Sequence, residues 1–502
     1  MRVSAWQTRT MNDLARETAG LDAVAQAALV RSGEVKPTEL IEAAISRIEA
    51  LDDGPEGINA IIHRRFDKAL AEAADQALPD GPFRGVPMAM KDLWPSSAGD
   101  PLHLGNIALK RAGYTHPVDA NITRRYRSAG MIIVGRTNTP EFGAVATTEP
   151  LAYGATRNPW KLSHSPGGSS GGAAAAVASG MLPAANASDG GGSIRIPAAA
   201  CGLVGLKPSR GRISMGPLAD EWGVSVQHVV SVSVRDTAAL LDISHGGHHG
   251  DAVVAPLPRR PYTSEVGATV EPLRIGVLSK ALTGTTDPEC EEAALAAARW
   301  FESRGHHVEA AYPSALDWWT RQNSGGIVWA VNMRATIARI GEWIGRELGE
   351  ADVEPATWVL AGMADKASAL DLHQAQNAQT RLRRESSLWW VPTSEGGHGF
   401  DLLLSPTMAS LTPALGEAVA APGDPIRALI RSAPMAVFTS PWNTTGQPAI
   451  SLPFSESASG LPIGVQLVAE YGREDLLIRV AAAMEPEIGW TTRRAATHAA
   501  SI

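Results

Sequence analysis

Three stretches of the chain place hydroxyl or amine groups among small, uncharged residues. Lys91 directly follows the apolar run 86–90. Ser169 and Ser170 lie within residues 167–172 (GGSSGG), and Ser193 follows three consecutive glycines. A serine hydroxyl is a weak nucleophile that needs a base within hydrogen-bond reach, and a lysine acts as a base only when it is neutral. Each stretch alone also has an ordinary explanation, because lysines beside apolar residues usually snorkel and glycine–serine runs usually form turns. Neither glycine run has the Gly-Lys-Ser/Thr ending of a phosphate-binding P-loop.

Taken together, these stretches resemble the amidase signature family. Residues 167–209, which contain both serines, match the long signature of that family nearly throughout, and Lys91 precedes them at about the distance that the family uses. The flanking segments 85–92 (GVPMAMKD), 135–143 (GRTNTPEFG) and 441–453 (PWNTTGQPAISLP) also agree with the family. The resemblance covers the chain from about residue 20 to about residue 480.

The resemblance implies a role for each reactive side chain. Ser193 is the expected nucleophile, Ser169 relays protons from a position after a cis peptide bond at Gly168, and Lys91 is the base at the end of the relay. A lysine suits this role in a charge-poor site, because desolvation lowers its pKa by several units. The implied reaction is hydrolysis of a carboxamide or related C–N acyl bond through an acyl-enzyme intermediate.

The family also implies groups that support Ser193. Glycines leave room for a substrate carbonyl and let backbone N–H groups converge on its oxyanion, where each donor is worth about 2.7–4 kcal/mol. The expected oxyanion donors are the N–H groups of Gly190, Gly191, Gly192 and Ser193. The expected hydrogen-bonding supports are Ser170, Asp189 and Arg195.

Hydrophobic patterning indicates an α/β protein. Residues 273–278 and 307–311 are predicted strands around a predicted helix at 288–303, a strand–helix–strand unit that is typical of a parallel or mixed sheet. Residues 314–400 are predicted to be mostly helical, and a helix after Pro37 is predicted with Thr38 as its N-cap.

With the resemblance, this pattern predicts the amidase signature fold: a mixed, twisted central sheet covered on both faces by helices. We expect a helical N-terminal segment, residues 1–70, packed on a single domain at residues 71–490. The catalytic core of that domain is expected at about residues 80–215.

Composition excludes several classes of function. The chain of 502 residues has 44 basic and 52 acidic residues, a net charge of −8, and no basic cluster, so we expect no nucleic acid partner. No apolar run reaches the length of a membrane span, so no membrane partner is expected. Cys201 and Cys290 are the two cysteines, too few for a disulfide framework, which favours the cytoplasm. A homodimer is left open.

No cofactor and no metal ion are expected. The residues that would suggest a metal site are His245, His248, His249 and Asp251. Glycines interleave them, so a surface loop is the better interpretation.

Three alternative functions explain the sequence less well. An α/β-hydrolase matches the G-x-S-x-G pattern at residues 167–171 but leaves Lys91 and Ser193 unexplained. The glutamine-hydrolysing subunit of an amidotransferase, from the same family, has a Ser-Leu-Asp-Gln stretch where this chain has residues 221–234 (EWGVSVQHVVSVSV). The intact reactive residues argue against a member that has lost its chemistry. Ala187 and Gly190 depart from the usual family pattern without touching a reacting side chain.

Within the family, segments 147–160, 208–216 and 464–477 resemble hydrolases of the cyclic dimer of 6-aminohexanoate. This predicts a small, neutral substrate: an apolar or aryl amide, a cyclic amide or a carbamate. Residues 317–343 carry tryptophans, small residues and little charge near the middle, a composition that buries apolar groups well but compensates a carboxylate poorly. Trp329 is the predicted pocket wall, with Trp318 and Trp319 packed behind it.

Overall fold

The structure is a computed structural model that describes residues 11–219, 223–322 and 325–501. Within these residues, eleven strands form a single sheet. The strands are β1 (Ile61–Arg64), β2 (Pro87–Lys91), β3 (Ile132–Thr137), β4 (Ala184–Asp189), β5 (Val204–Lys207), β6 (Val226–Ser231), β7 (Arg274–Val277), β8 (His307–Glu309), β9 (Leu402–Pro406), β10 (Ala449–Glu456) and β11 (Pro462–Ala469).

Helices connect the strands and cover the sheet. Those within the described ranges are α1 (Met11–Ala19), α2 (Ala23–Arg31), α3 (Pro37–Asp52), α4 (Phe66–Ala74), α5 (Ile107–Ala112), α6 (Asn121–Ser128), α7 (Gly171–Ala178), α8 (Arg195–Cys201), α9 (Val234–Ser244), α10 (Pro288–Glu302), α11 (Ala315–Gln322), α12 (Gly325–Ile344), α13 (Pro355–Ala364), α14 (Ala369–Ser387), α15 (Arg427–Ala436), α16 (Ser440–Thr445) and α17 (Glu474–Ile488). None of them is long and apolar enough to cross a membrane.

The sheet is mixed, as predicted. Its strand order is β1-β3-β2-β4-β6-β5-β10-β11-β9-β7-β8. Strand β2 runs parallel to both β3 and β4, whereas β10 is antiparallel to both β5 and β11. The predicted strand–helix–strand unit is β7, α10 and β8, and its two strands are parallel.

Both faces of the sheet are buried, which confirms the predicted layering. Successive side chains of a strand point to opposite faces. In β3, Ile133 belongs to a core cluster that includes α9, α10 and α17, whereas Ile132 and Val134 belong to a second cluster with α3, α4 and α7. In β2, Met88 and Met90 face the first cluster and Ala89 faces the second.

Two details of the N-terminal region differ from the prediction. Helix α3 begins at Pro37 with Lys36 as its N-cap, so the prediction of Thr38 as the cap was wrong. Proline suits the first helical position because its missing N–H would have no partner there. Residues 1–70 were predicted as a helical segment, but β1 within them is an edge strand of the sheet, paired with β3. Strand β1 has only four residues, too few for a readable alternation.

The predicted helical, tryptophan-rich region is confirmed as α11–α14 for its described residues. Trp318 and Trp319 pack against a cluster that contains Trp389 and Trp390, as expected of tryptophans that fill space. Helix α12 packs elsewhere, on a cluster that includes Leu93 and Phe142. Residues 220–222 and 323–324 lie outside the described residues, and they include the start of the segment 221–234 and part of the segment 317–343.

Candidate active site

The sheet brings Lys91 to the end of β4. Lys91 is the last residue of β2, and Asp189 is the last residue of β4. Because β2 and β4 are parallel neighbours, their carboxyl ends meet at the same edge of the sheet. Ligands of such sheets bind beyond the carboxyl ends of the strands. The predicted base and the loop that carries Ser193 therefore share one edge.

Ser169 and Ser170 reach the same edge from the start of α7. Every residue of α7 is buried, and its run of alanines has a high helix propensity. Glycine at position 172 permits close approach, because a Cβ there would lie 2.4 Å from the Asn138 backbone nitrogen. The peptide bond between Gly168 and Ser169 is cis, as the family resemblance predicts.

The Lys91 amine contacts two serines. Its Nζ donates to Ser169 Oγ at 2.7 Å and to Ser188 Oγ at 3.1 Å. Lys91 is fully buried and has no salt bridge with any residue that the structure describes. Burial lowers the pKa of Lys91 from its ordinary value of 10.5 to about 7, although the charge of Asp189 acts in the opposite direction. A large fraction of this lysine is therefore neutral at neutral pH.

Asp189 shapes the loop that carries Ser193. Its carboxylate accepts hydrogen bonds from the N–H groups of Gly192 at 2.8 Å and Ile194 at 3.1 Å. Gly192 has a φ of +139°, and a Cβ there would lie 2.4 Å from Thr439 Oγ1, so glycine is required. Since the Gly192 N–H is bound to Asp189, the predicted oxyanion donors without an acceptor among the described residues are those of Gly190, Gly191 and Ser193.

Ser193 itself is partly exposed. Its Oγ makes no hydrogen bond with a described residue, so Ser169 and Ser193 are not directly joined in this structure. Ser170 supports the end of β4: its Oγ donates to the Ser188 carbonyl at 3.2 Å and accepts from the Ser188 N–H at 3.3 Å. The structure thus joins Lys91, Ser169 and Ser188 and leaves the Ser193 hydroxyl open.

Arg195 and Asp189 form a fully buried ion pair. Arg195 Nε and Nη2 each donate to the carboxylate at 2.9 Å. Burial acts to raise the pKa of Asp189, but the charge and hydrogen bonds of Arg195 outweigh it and hold that pKa below the usual range. A buried pair of this kind is tolerated when every polar atom has a partner.

Three residues far along the chain complete that pairing. Arg195 Nη1 donates to the Thr439 carbonyl at 3.0 Å and to Gln466 Oε1 at 2.7 Å, and Nη2 donates to Asn443 Oδ1 at 2.6 Å. All five guanidinium N–H groups are thereby used. The sequence alone does not reveal these partners. Asn443 lies in segment 441–453, which resembles the family but does not predict a contact with Arg195.

Trp329 and the histidine cluster stand apart from these contacts. Trp329 is 39% exposed on α12, and its neighbour Ala330 packs in the cluster of Leu93 and Phe142. No contact between Trp329 and the reactive serines is present, so its place in the pocket stays a prediction. His248 and His249 lie exposed on a loop, and no group of three His, Cys, Asp or Glu residues in the described ranges could hold a metal ion.

Known proteins are similar to this chain in sequence and fold. The amidase family model matches residues 39–478. The chain is 44% identical over 485 residues to the 6-aminohexanoate-cyclic-dimer hydrolase of Paenarthrobacter ureafaciens, covering 94% of this chain and 96% of that enzyme. A solved structure of 6-aminohexanoate cyclic dimer hydrolase complexed with substrate has a TM-score of 0.90 at 43% identity, covering 95% of this chain and 99% of that chain. A bacterial aryl acylamidase of the amidase signature enzymes has a TM-score of 0.81 at 28% identity, covering 94% and 99%. With a family model that spans most of its sequence and relatives that align over nearly its full length, the chain belongs to the amidase signature family.

Proposed function

We propose that this amidase cleaves neutral amides through Ser193, with Ser169 and Lys91 as its proton relay. The observation that carries the proposal is the buried Lys91 amine, 2.7 Å from Ser169 Oγ and without a salt bridge among the described residues. A base is most useful when its pKa lies near the working pH. The pKa of about 7 that burial gives Lys91 meets that requirement.

The proposed cycle begins when the Ser193 hydroxyl attacks the substrate carbonyl. Its proton passes to Ser169 while the Ser169 proton passes to the neutral Lys91 amine. The oxyanion is bound by the N–H groups of Gly190, Gly191 and Ser193, which have no acceptor among the described residues. As the C–N bond breaks, the Lys91 ammonium returns the proton through Ser169 to the leaving amine. Water then hydrolyses the acyl-enzyme with the same relay as base.

The substrate we propose is uncharged near the scissile bond: an apolar or aryl amide, a cyclic amide or a carbamate. Ser169 borders an apolar cluster, because a Cβ at Gly143 would lie 2.8 Å from Leu93 Cδ2 and 3.1 Å from Ser169 Oγ. Helix α12, which carries Trp329, packs on that same cluster. The relative named as a cyclic-dimer hydrolase supports a cyclic amide within this class.

The alternative is a glutamine-hydrolysing subunit of an amidotransferase. Its substrate carries both an ammonium and a carboxylate, which the apolar cluster beside Ser169 compensates poorly. We also propose a cytoplasmic location, since Cys201 and Cys290 are buried free thiols. Light scattering of the purified chain tests whether it forms a homodimer.

Active-site labelling tests the catalytic assignment. A fluorophosphonate followed by peptide mapping should modify Ser193, and Ser193→Ala should lose both labelling and turnover while keeping its thermal transition. Ser163→Ala, at an exposed serine outside the site, is the matched control and should behave like the wild type. Full turnover by Ser193→Ala would disprove the nucleophile.

A substrate panel tests the specificity. The values of kcat/KM for a cyclic amide, an anilide and a carbamate are compared with the value for free glutamine. We expect the best neutral substrate to exceed glutamine by at least about tenfold, about 1.4 kcal/mol in transition-state binding. A preference for glutamine would overturn the substrate class and leave the catalytic assignment standing.

A further inference from the structure

A cleft of about 380 Å³ lies at the opposite ends of the elements that carry the active site. It is lined by Val177 and Ala178 at the end of α7, by Pro183 just before β4, and by Cys201 and Gly202 at the end of α8. The eight residues of α7 span about 12 Å and the six of β4 about 20 Å. The cleft is therefore a separate place from the one where Lys91 and Ser169 meet, and its volume suits a small molecule.

The floor of the cleft is apolar. Leu182, Leu203 and Val232 line it together with the tryptophans Trp160 and Trp490. Trp160 is fixed in place, because its Nε1 donates to the Cys201 carbonyl at 2.8 Å. This floor offers a rigid apolar and aromatic surface, the usual lining of a site that binds an organic ligand.

Three acceptor groups around the cleft already have hydrogen-bond donors. At the end of α8, the Ala198 carbonyl accepts from the N–H groups of Gly202 and Leu203. Asp22 is paired with Arg235, whose Nε lies 2.5 Å from Oδ2. The Oε1 atom of Glu485 accepts from the Val234 N–H at 2.8 Å. A ligand that donates to these three groups would therefore compete with existing partners.

Two arginines at the cleft have N–H groups that bond to no residue the structure describes. Arg493 bonds through Nη2 to the carbonyls of Pro453 at 2.9 Å and Ile488 at 3.5 Å. Arg494 bonds through Nη1 to the carbonyls of Thr491 at 2.6 Å and Arg493 at 3.0 Å. Neither guanidinium forms a salt bridge with a carboxylate within residues 11–219, 223–322 and 325–501. Arg494 Nη2 reaches across toward α1, where it lies 3.8 Å from the position of a Cβ at Gly20.

We propose that this cleft is a second ligand site, which binds a small organic carboxylate with an apolar body. The apolar floor would bury the aliphatic or aromatic part, and the N–H groups of Arg493 and Arg494 that have no acceptor among the described residues would bind the carboxylate as charge-assisted donors. Guanidinium groups pair with carboxylates in a planar, two-pronged geometry that a lysine could not provide.

The test is calorimetric titration of the full chain with 4-phenylbutyrate, in parallel with the neutral alcohol 4-phenylbutanol. We expect saturable binding of the acid at millimolar concentration or below, and affinity for the alcohol at least about tenfold weaker. The double variant Arg493→Gln/Arg494→Gln should weaken acid binding by at least about tenfold. The matched control is Arg383→Gln/Arg384→Gln, which removes two adjacent exposed arginines from α14 and should bind the acid like the wild type.

Three outcomes would overturn the proposal. The first is the absence of saturable acid binding to the wild-type chain. The second is equal affinity of the two double variants, both with unchanged thermal transitions. The third is binding that disappears in Ser193→Ala while it survives in Arg493→Gln/Arg494→Gln, which would place the acid in the active site. Because the readout is binding, this result does not depend on whether the proposed hydrolysis is correct.

Discussion

Replacing Lys91 with methionine separates the chemistry of this lysine from its burial. Lys91→Met keeps a side chain of similar length in the fully buried position but removes the amine that contacts Ser169. We expect turnover to fall by several orders of magnitude, since a lost general base alone costs about 10²–10⁴-fold. The exposed Lys366→Met is the control and should leave turnover unchanged.

The pH profile of the wild type measures how strongly kcat/KM depends on the protonation of Lys91. With a pKa of about 7, Lys91 is ~10% neutral at pH 6 and ~90% neutral at pH 8. The value of kcat/KM should therefore rise about tenfold between these pH values and then level off. A flat profile from about pH 6 to about pH 9, with the chemical step shown to limit the rate, would refute Lys91 as the base.

Stability provides an independent measure of the same pKa. The pKa of Lys91 is 10.5 ordinarily and about 7 in the folded chain, so the unfolded chain binds more protons within that window and stability rises with pH. The burial cost that Lys91→Met removes is about 5 kcal/mol at pH 6 and about 2 kcal/mol at pH 9. The free energy of unfolding of the variant, relative to the wild type, should thus fall by about 3 kcal/mol between these pH values. If the unfolding free energies of the two proteins, measured by denaturant titration, changed in parallel with pH, the pKa of Lys91 would not be lowered in the folded chain.

Three further predictions concern the loop of Ser193, the partners of Arg195 and the expected absence of a metal ion. Gly192→Ala should lower the free energy of unfolding by about 1–3 kcal/mol, because its Cβ would lie 2.4 Å from Thr439 Oγ1, whereas Gly191→Ala meets nothing within 4 Å and should be nearly neutral; denaturant titration compares the two. Asn443→Ala should cost about 1–3 kcal/mol, because it leaves one buried N–H of Arg195 without its acceptor and removes a donor from the Asp189 carboxylate, and a stability equal to the wild type would contradict the network. Activity should survive prolonged EDTA treatment, and restoration by zinc after a loss would point back to His248 and His249.

The sequence predicts best what is encoded locally. Strand β7, helix α10 and strand β8 were placed within a few residues because alternating and helical hydrophobic periods are clear there. The edge strand β1 was missed because its four residues carry only two aliphatic side chains, and its pairing with β3 joins residues far apart in sequence. The N-cap at Thr38 was wrong because Pro37 was read as a residue before the helix rather than as its first residue.

In the site, too, residues in local motifs are predictable and long-range contacts are not. Lys91, Ser169 and Ser193 stand in short motifs, so a resemblance could name them. The contact of Lys91 with Ser188 depends on the pairing of β2 with β4, and the contact of Arg195 with Gln466 joins residues 271 positions apart. Nothing in a short motif reveals such partners. The involvement of the Gly192 N–H with Asp189 was likewise hidden, because three consecutive glycines look equally available in the sequence.

The charged pair beside the site explains how Lys91 can be uncharged. A carboxylate close to a buried lysine stabilises the ammonium form, and Asp189 does act on Lys91 in that direction. Yet the Asp189 carboxylate is bound by two nitrogens of Arg195, by the Asn443 amide and by backbone N–H groups. The Arg195 guanidinium therefore neutralises most of the negative charge of Asp189. Arg195 therefore binds the carboxylate that holds the loop of Ser193. For Lys91, burial outweighs the opposing charge of Asp189 and lowers the pKa of the amine to about 7.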